Sequence, residues 1–216
     1  MWIDIHTHTP PDPGQKTIFS LYNDFHSVQS GRYYSMGIHP WHIEEDFESQ
    51  FENLISYANN VSVLAIGEAG LDKICKTDFK LQQQIFSRQI QLANEIQKPL
   101  IIHCVKAWAE VFSLLEKGSI NVPVVFHGFN KNKTLANTIL EKGFYLSFGK
   151  SLKHQNQLDL LKQISMEKLF LETDDASVNI DEIYKLASNA LSIDMNSLSL
   201  QIQKNAANIF DASFFI

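Results

Sequence analysis

Along the chain, short apolar runs rich in Val, Ile, Phe and Tyr alternate with longer stretches whose apolar residues recur every three or four positions. The runs are Trp2–Ile5, Thr17–Tyr22, Tyr33–Gly37, Val63–Ile66, Leu100–Ile102, Val122–Phe126, Phe144–Phe148 and Leu169–Leu171. Most are too short for helices, and their residue types favour strands. Phe79–Gln97 carries the clearest helical stripe, formed by Leu81, Ile85, Ile90, Leu92, Ala93 and Ile96, and Pro99 ends it. Ala107–Lys117, Lys133–Lys142 and Gln155–Ile164 repeat the pattern, with Gly118 and Gly143 where C-terminal caps are expected. From Asp181 to Phe210 the pattern reads as two helices. Runs without clear alternation suit strands buried on both faces of a parallel sheet. Eight such runs, with helices between most of them, predict an α/β chain folded as a (β/α)8 TIM-type barrel. The barrel is shortened, because about 250 residues is typical and this chain has 216. Asn23–Arg32 is too short and irregular for a crossover helix, so the crossover after strand 2 is expected to be reduced. A doubly wound open sheet is the competing fold, but no glycine-rich phosphate loop follows any strand.

Composition sharpens this only slightly. With 44% apolar and 19% charged residues, the chain is ordinary globular protein, expected to form a single domain over residues 1–216. A chain of this size should bury roughly 70% of its unfolded surface. Two cysteines, Cys75 and Cys104, are too few for a disulfide framework and read as reduced thiols of a cytoplasmic protein. Asp4 and His6 stand where a signal peptide would need its apolar run, and no stretch of 18 apolar residues suggests a membrane span. The net charge of −6, from 24 acids against 18 bases, disfavours a grip on nucleic acid by bulk charge.

In a barrel of this kind, chemistry gathers at the C-terminal ends of the strands. The first run ends with Asp4, His6 and His8; the third leads to His39; the fourth to Glu68 and Asp72. The fifth leads to His103, the sixth to His127, and the eighth to Glu172, Asp174 and Asp175. His6 and His8, two apart on a strand, face the same side and can address one ion. Glu68, His103, His127 and Asp174 come from four other strands. Six such side chains exceed the needs of one four-coordinate ion, and a two-metal site fits better. Four histidines favour Zn²⁺ or Mn²⁺ as the bound ions, with Mg²⁺ supporting activity only at high concentration.

These pieces, in their order and spacing, resemble the TatD-type metal-dependent hydrolases, commonly described as deoxyribonucleases, within the amidohydrolase-like barrels. The matching motifs are D-I-H-T-H at Asp4–His8, G-I-H-P at Gly37–Pro40, G-E-A-G-L-D at Gly67–Asp72, P-L-I-I-H-C at Pro99–Cys104, F-H-G-F at Phe126–Phe129 and L-E-T-D at Leu171–Asp174. The resemblance runs on to the closing N-A-A-N-I-F at Asn205–Phe210. It implies that His6, His8 and Asp174 bind one metal, that His103 and His127 bind the other, and that Glu68 bridges them. Asp174 would handle the proton of the attacking water, making Asp174 and Glu68 the catalytic carboxylates. His39 would contact substrate or support the ligands. The family commonly follows its H-C with arginine, whereas Val105 and Lys106 follow here. A lysine is a point charge rather than a fork, so a looser hold on phosphate is expected. T-D-A-P becomes Thr173-Asp174-Asp175-Ala176, which adds an acid and removes a proline.

Charge distribution qualifies the net sign. Lys73, Lys76, Lys106, Lys131, Lys133, Lys150 and Lys153 fall in the loops expected at the catalytic end, seven of the 18 basic residues. Lys106 and Lys150 are the expected substrate contacts, and Trp41 and Phe129 could stack on a base or pack at the rim. The leading function is a metal-dependent phosphodiesterase or deoxyribonuclease acting transiently on DNA or another phosphodiester, with no obligate protein partner. The alternatives are a hydrolase of small esters, amides or phosphomonoesters, since DIHTHT also resembles the opening of PHP-type phosphoesterases, and a non-catalytic, metal-stabilised binding protein.

Overall fold

A computed structural model describes residues 1–10, 16–211 and 214. It divides into two compact units, residues 1–19 with 125–216, and residues 20–124, the divisions falling within the second and sixth strands. The eight strands are β1 (Ile3–Thr7), β2 (Lys16–Leu21), β3 (Tyr33–Met36), β4 (Val63–Asp72), β5 (Leu100–Val105), β6 (Val124–Phe126), β7 (Tyr145–Phe148) and β8 (Leu169–Leu171). Their pairing follows chain order from β1 to β8. Helices α1 (Phe47–Ala58), α2 (Phe79–Ile96), α3 (Trp108–Lys117), α4 (Lys133–Glu141) and α5 (Gln155–Leu161) lie between successive strands from β3 to β8, and α6 (Ile180–Leu191) and α7 (Met195–Ala207) follow β8. This is (β/α)8 topology. The crossover after β2 is reduced to a single 3-10 turn at Phe25–Ser27.

In the first unit, β6, β7 and β8 run parallel, with Phe126 opposite Leu146 and Phe148 opposite Leu171. β1 joins β8 through the Thr7–Asp174 bridge and pairs with the start of β2. Every residue of β1 is buried. Its outer edge is held by α6, whose buried Tyr184 hydroxyl accepts the Ile3 amide hydrogen at 3.2 Å and donates to the Ile3 carbonyl at 3.1 Å. Asn205 of α7 donates to the carbonyls of Leu169 and Met166, which ties the closing N-A-A-N-I-F segment to the start of β8. Helix α4 starts at Asn132, whose side chain accepts the Leu135 amide at 3.0 Å. Removing that cap by Asn132→Ala should cost about 1 kcal/mol, read as a lower urea midpoint at unchanged slope.

In the second unit, β4 is longer than its apolar run, because pairing with β5 continues through Gly70–His103 to Asp72–Val105. Glu68 and Asp72 therefore lie within a strand rather than after one. Gly70 makes this possible: at φ +152 it sits so close to β5 that a Cβ would overlap the His103 carbonyl. Helix α1 is an element that the pattern of apolar runs does not reveal; its buried Phe51, Leu54 and Ala58 form a stripe at helical spacing. Gly118 is the C-cap of α3, as expected, but it is not left-handed (φ −77); Ser119 takes the positive φ. A Cβ on Gly118 would lie 2.6 Å from Ile90 Cγ2, so this glycine serves close packing of α3 on α2.

Candidate metal centre

The first unit assembles its site where β1 meets β8. Asp174 follows β8 with a left-handed backbone (φ +56), a conformation that Asp tolerates better than most residues. Its amide donates to the His6 carbonyl at 2.9 Å and its carbonyl accepts the His8 amide at 3.1 Å. Three expected ligands are thus locked by two backbone bonds. The Nε2 atoms of His6 and His8 each lie 3.7 Å from Asp174 Oδ1. That is too long for a hydrogen bond. It is near the roughly 3.3 Å that separates neighbouring donors around a tetrahedral ion with bonds of about 2.0–2.1 Å. His127, following β6, stacks at an angle on His6 with ring centroids 4.2 Å apart. Ligand atoms of His6, His127 and Asp174 all lie within 4.8 Å of one another. A set of imidazoles with one carboxylate suits Zn²⁺ or Mn²⁺, so these residues fit the implied metal.

Two further carboxylates support them. Asp4 is buried and accepts the Thr173 amide at 3.1 Å, the Thr173 hydroxyl at 2.6 Å and the His6 amide at 3.3 Å. Burial pushes its pKa up to about 7 against the pull of these donors. It clamps the residue before Asp174 to the strand that carries His6. Glu172, fully buried, accepts the Gly128 amide at 2.6 Å and faces His127 Nδ1 at 3.5 Å. Burial raises its carboxyl, but the His127 ring outweighs that and holds it below the usual range.

The second unit brings together His39, Glu68 and His103. Glu68 Oε1 lies 2.7 Å from His103 Nδ1 and 3.2 Å from His39 Nε2. The Trp41 amide donates to His39 Nδ1 at 3.1 Å. Nδ1 is therefore an acceptor, and the ring proton sits on Nε2, aimed at Glu68. Burial lowers the His39 pKa to about 4, which keeps the ring neutral. With its Nε2–H on Glu68, His39 orients that carboxylate. On the far side of His103, Asp72 Oδ2 lies 3.5 Å from Nε2. Burial raises the Asp72 carboxyl, but the Trp41 indole N–H, the Ile74 amide and His103 bring it below its ordinary value.

Of the six expected ligands, His6, His8, His127 and Asp174 belong to the first unit and Glu68 and His103 to the second; within the first, His127 has a ligand atom beside those of His6 and Asp174. The sequence profile of the TatD related DNase family matches residues 5–211. The chain belongs to that family.

Its TatD relatives include a metal-dependent hydrolase of Buchnera aphidicola subsp. Baizongia pistaciae, 34% identical over 65% of this chain and 54% of that protein. The metal-dependent hydrolase YcfH of Escherichia coli K12 is 32% identical over 65% of this chain and 54% of its own length. The match thus spans little more than half the length of these relatives. Among solved structures, the TatD homologue YjjV of Escherichia coli superposes with a TM-score of 0.84 at 19% identity, over 97% of each chain. A TatD family hydrolase from Entamoeba histolytica gives 0.80 at 19% identity, again over 97% of each. These likenesses show the fold, which is the (β/α)8 TIM-type barrel.

The expected substrate contacts fare differently. Lys106 follows β5 in a left-handed conformation (φ +54) and is exposed. Lys150 is exposed too, but its ammonium is bonded to Asp175, which raises the lysine pKa and lowers that of the acid. Lys73 pairs with Glu110 at 2.5 Å and Lys153 with Glu182 at 3.2 Å. Three of the seven lysines of the expected positive rim are therefore neutralised locally. Phe129 is only 2% exposed and packs on Phe148, so it is core and not a stacking surface. No helix among the described residues is long and apolar enough to cross a membrane.

Proposed function

We propose that this TatD-family chain is a metal-dependent hydrolase that cleaves phosphodiesters with the help of two divalent cations held by His6, His8, Glu68, His103, His127 and Asp174. The observation that carries this reading is the backbone lock between His6, His8 and Asp174, which holds the Nε2 atom of each imidazole 3.7 Å from the Asp174 carboxylate, close to the spacing of donors around one ion. When bound, such cations would supply Lewis acidity and a water of lowered pKa. The chain's own residues do the rest. Asp174 takes the proton of the attacking water, Glu68 is held in place by the His39 Nε2–H, and Asp4 and Glu172 fix the ligand-bearing backbone and His127.

The pairing of Lys73, Lys150 and Lys153 with acids favours a short or small phosphodiester, or a nucleic acid held briefly, over a long polyanion held by charge. The test is to strip the purified protein with a chelator and reload it with Zn²⁺, Mn²⁺ or Mg²⁺. Turnover of bis(p-nitrophenyl) phosphate, DNA and RNA is then compared with that of phosphomonoesters, carboxylic esters and amides. Chelation should abolish activity. Zn²⁺ or Mn²⁺ should restore it at lower concentration than Mg²⁺, with up to two ions per chain. A fully metallated protein that cleaves no phosphodiester would overturn the proposal. Turnover confined to esters or amides would transfer it to small-molecule hydrolysis, and tight metal uptake without any turnover would leave a metal-stabilised binding protein.

A further inference from the structure

Trp41 combines two properties that rarely coincide. It is 58% exposed, and it is the one aromatic among the exposed large hydrophobic side chains of the described residues. Yet its indole edge is fixed. Nε1 donates to Asp72 Oδ2 at 2.6 Å. Asp72 is itself immobile: it is fully buried, its Oδ1 accepts the Ile74 amide at 2.8 Å, and its backbone amide and carbonyl are both bonded to the Gln82 side chain. The backbone of Trp41 is tied as well, through its amide to His39 Nδ1. An exposed ring held at its N–H by a buried carboxylate has already lost the freedom that binding would otherwise remove.

Its position is equally specific. The indole is roughly perpendicular to His39, with centroids 5.0 Å apart at 87°, and to His103, 5.9 Å away at 74°. The exposed ring therefore stands beside the imidazoles that flank Glu68. Packing does not account for an indole left in water, since a core residue would be buried and a plain surface position would not need its N–H anchored to Asp72.

We propose that Trp41 is a stacking platform for a nucleobase next to the scissile phosphodiester. The assignment rests on the phosphodiesterase reading above and narrows it to nucleotide-containing substrates. Stacking uses the π-face that every base has, so little base preference is expected. One base on an aromatic ring is worth roughly fivefold to a hundredfold in affinity.

The test compares kcat/KM for thymidine 5′-(p-nitrophenyl phosphate) with that for methyl p-nitrophenyl phosphate. The two share a leaving group and differ in whether a base is present. Trp41→Phe keeps an aromatic face and loses the N–H to Asp72; Trp41→Leu loses both. The ratio of the two values should survive in Trp41→Phe and fall about tenfold in Trp41→Leu, chiefly through KM. Equal losses on both substrates in Trp41→Leu would show that Trp41 only positions Asp72 and His103, and would overturn the stacking role. Wild-type protein that cleaves neither compound would instead sink the phosphodiesterase reading. Stacking is then decided without turnover, by indole fluorescence during titration with thymidine monophosphate. Quenching present in wild type and absent in Trp41→Phe supports the platform, and quenching equal in both, or seen in neither, overturns it.

Discussion

Replacing His103 with alanine should lower phosphodiester turnover by about 100-fold or more while leaving the fold intact. The ring is only 13% exposed and stands between two carboxylates, with Glu68 at 2.7 Å and Asp72 at 3.5 Å. Loss of a group that merely supports a metal ligand commonly costs about 10–100-fold in metal affinity or activity, and a ligand itself should cost more. Without the imidazole, Glu68 loses its 2.7 Å contact and keeps that to His39 at 3.2 Å. The check is elemental analysis, kcat/KM and circular dichroism on the same preparations. A His103→Ala protein with full metal content and wild-type turnover would remove His103 from the site. Unfolding of the variant would be informative too, because it would make the histidine primarily structural.

Phe126→Ala should be strongly destabilising, at about 3–5 kcal/mol. Phe126 is wholly buried in β6, with its ring 6.0 Å from Phe144 and its backbone opposite Leu146 of β7. Truncation loses the transfer free energy of the ring and leaves a cavity that strands on either side cannot close without giving up ladder hydrogen bonds. For a chain of this size each kcal/mol corresponds to roughly 2–4 °C, so Tm should fall by about 6–20 °C. Phe126→Leu should recover most of the loss, as a side chain that still fills much of the volume. Because His127 is the next residue, the alanine variant should also weaken metal binding. Urea unfolding of the three proteins tests this, and a cost below about 1 kcal/mol for Phe126→Ala would show that the site collapses around the missing ring.

Part of the candidate site is legible in the amino-acid sequence. His6, His8 and Asp174 announce themselves because each follows an apolar run that cannot be anything but a buried strand, and the ends of such strands in this fold collect chemistry. The three supporting carboxylates, Asp4, Asp72 and Glu172, carry a weaker version of the same signal. Asp4 is two residues from His6 in β1 and Asp72 four from Glu68 in β4, the spacing of one face of a regular strand, while Glu172 stands two before Asp174, both beyond the end of β8. Proximity to the ligands could nominate them. It could not give Asp4 its partner Thr173, 169 positions away. The lysine rim fails for a related reason: a sequence shows the basic residues but not that Glu110, Asp175 and Glu182 come to meet three of them.

The sequence by itself determined the strand–helix alternation, the reduced crossover after β2, the family and the identity of the candidate ligands. All of these are written in local pattern and in short motifs whose spacing is preserved along the chain. Only the tertiary structure decided that His127 sits with His6 and Asp174, that Phe129 is buried while Trp41 is exposed, and that His39 presents its Nε2–H to Glu68. Those outcomes depend on which side chains meet across strands far apart in sequence, and on which nitrogen or ring edge a neighbour happens to satisfy. Hydrophobic periodicity fixes which face of a strand is buried, but it carries no record of what will lie opposite.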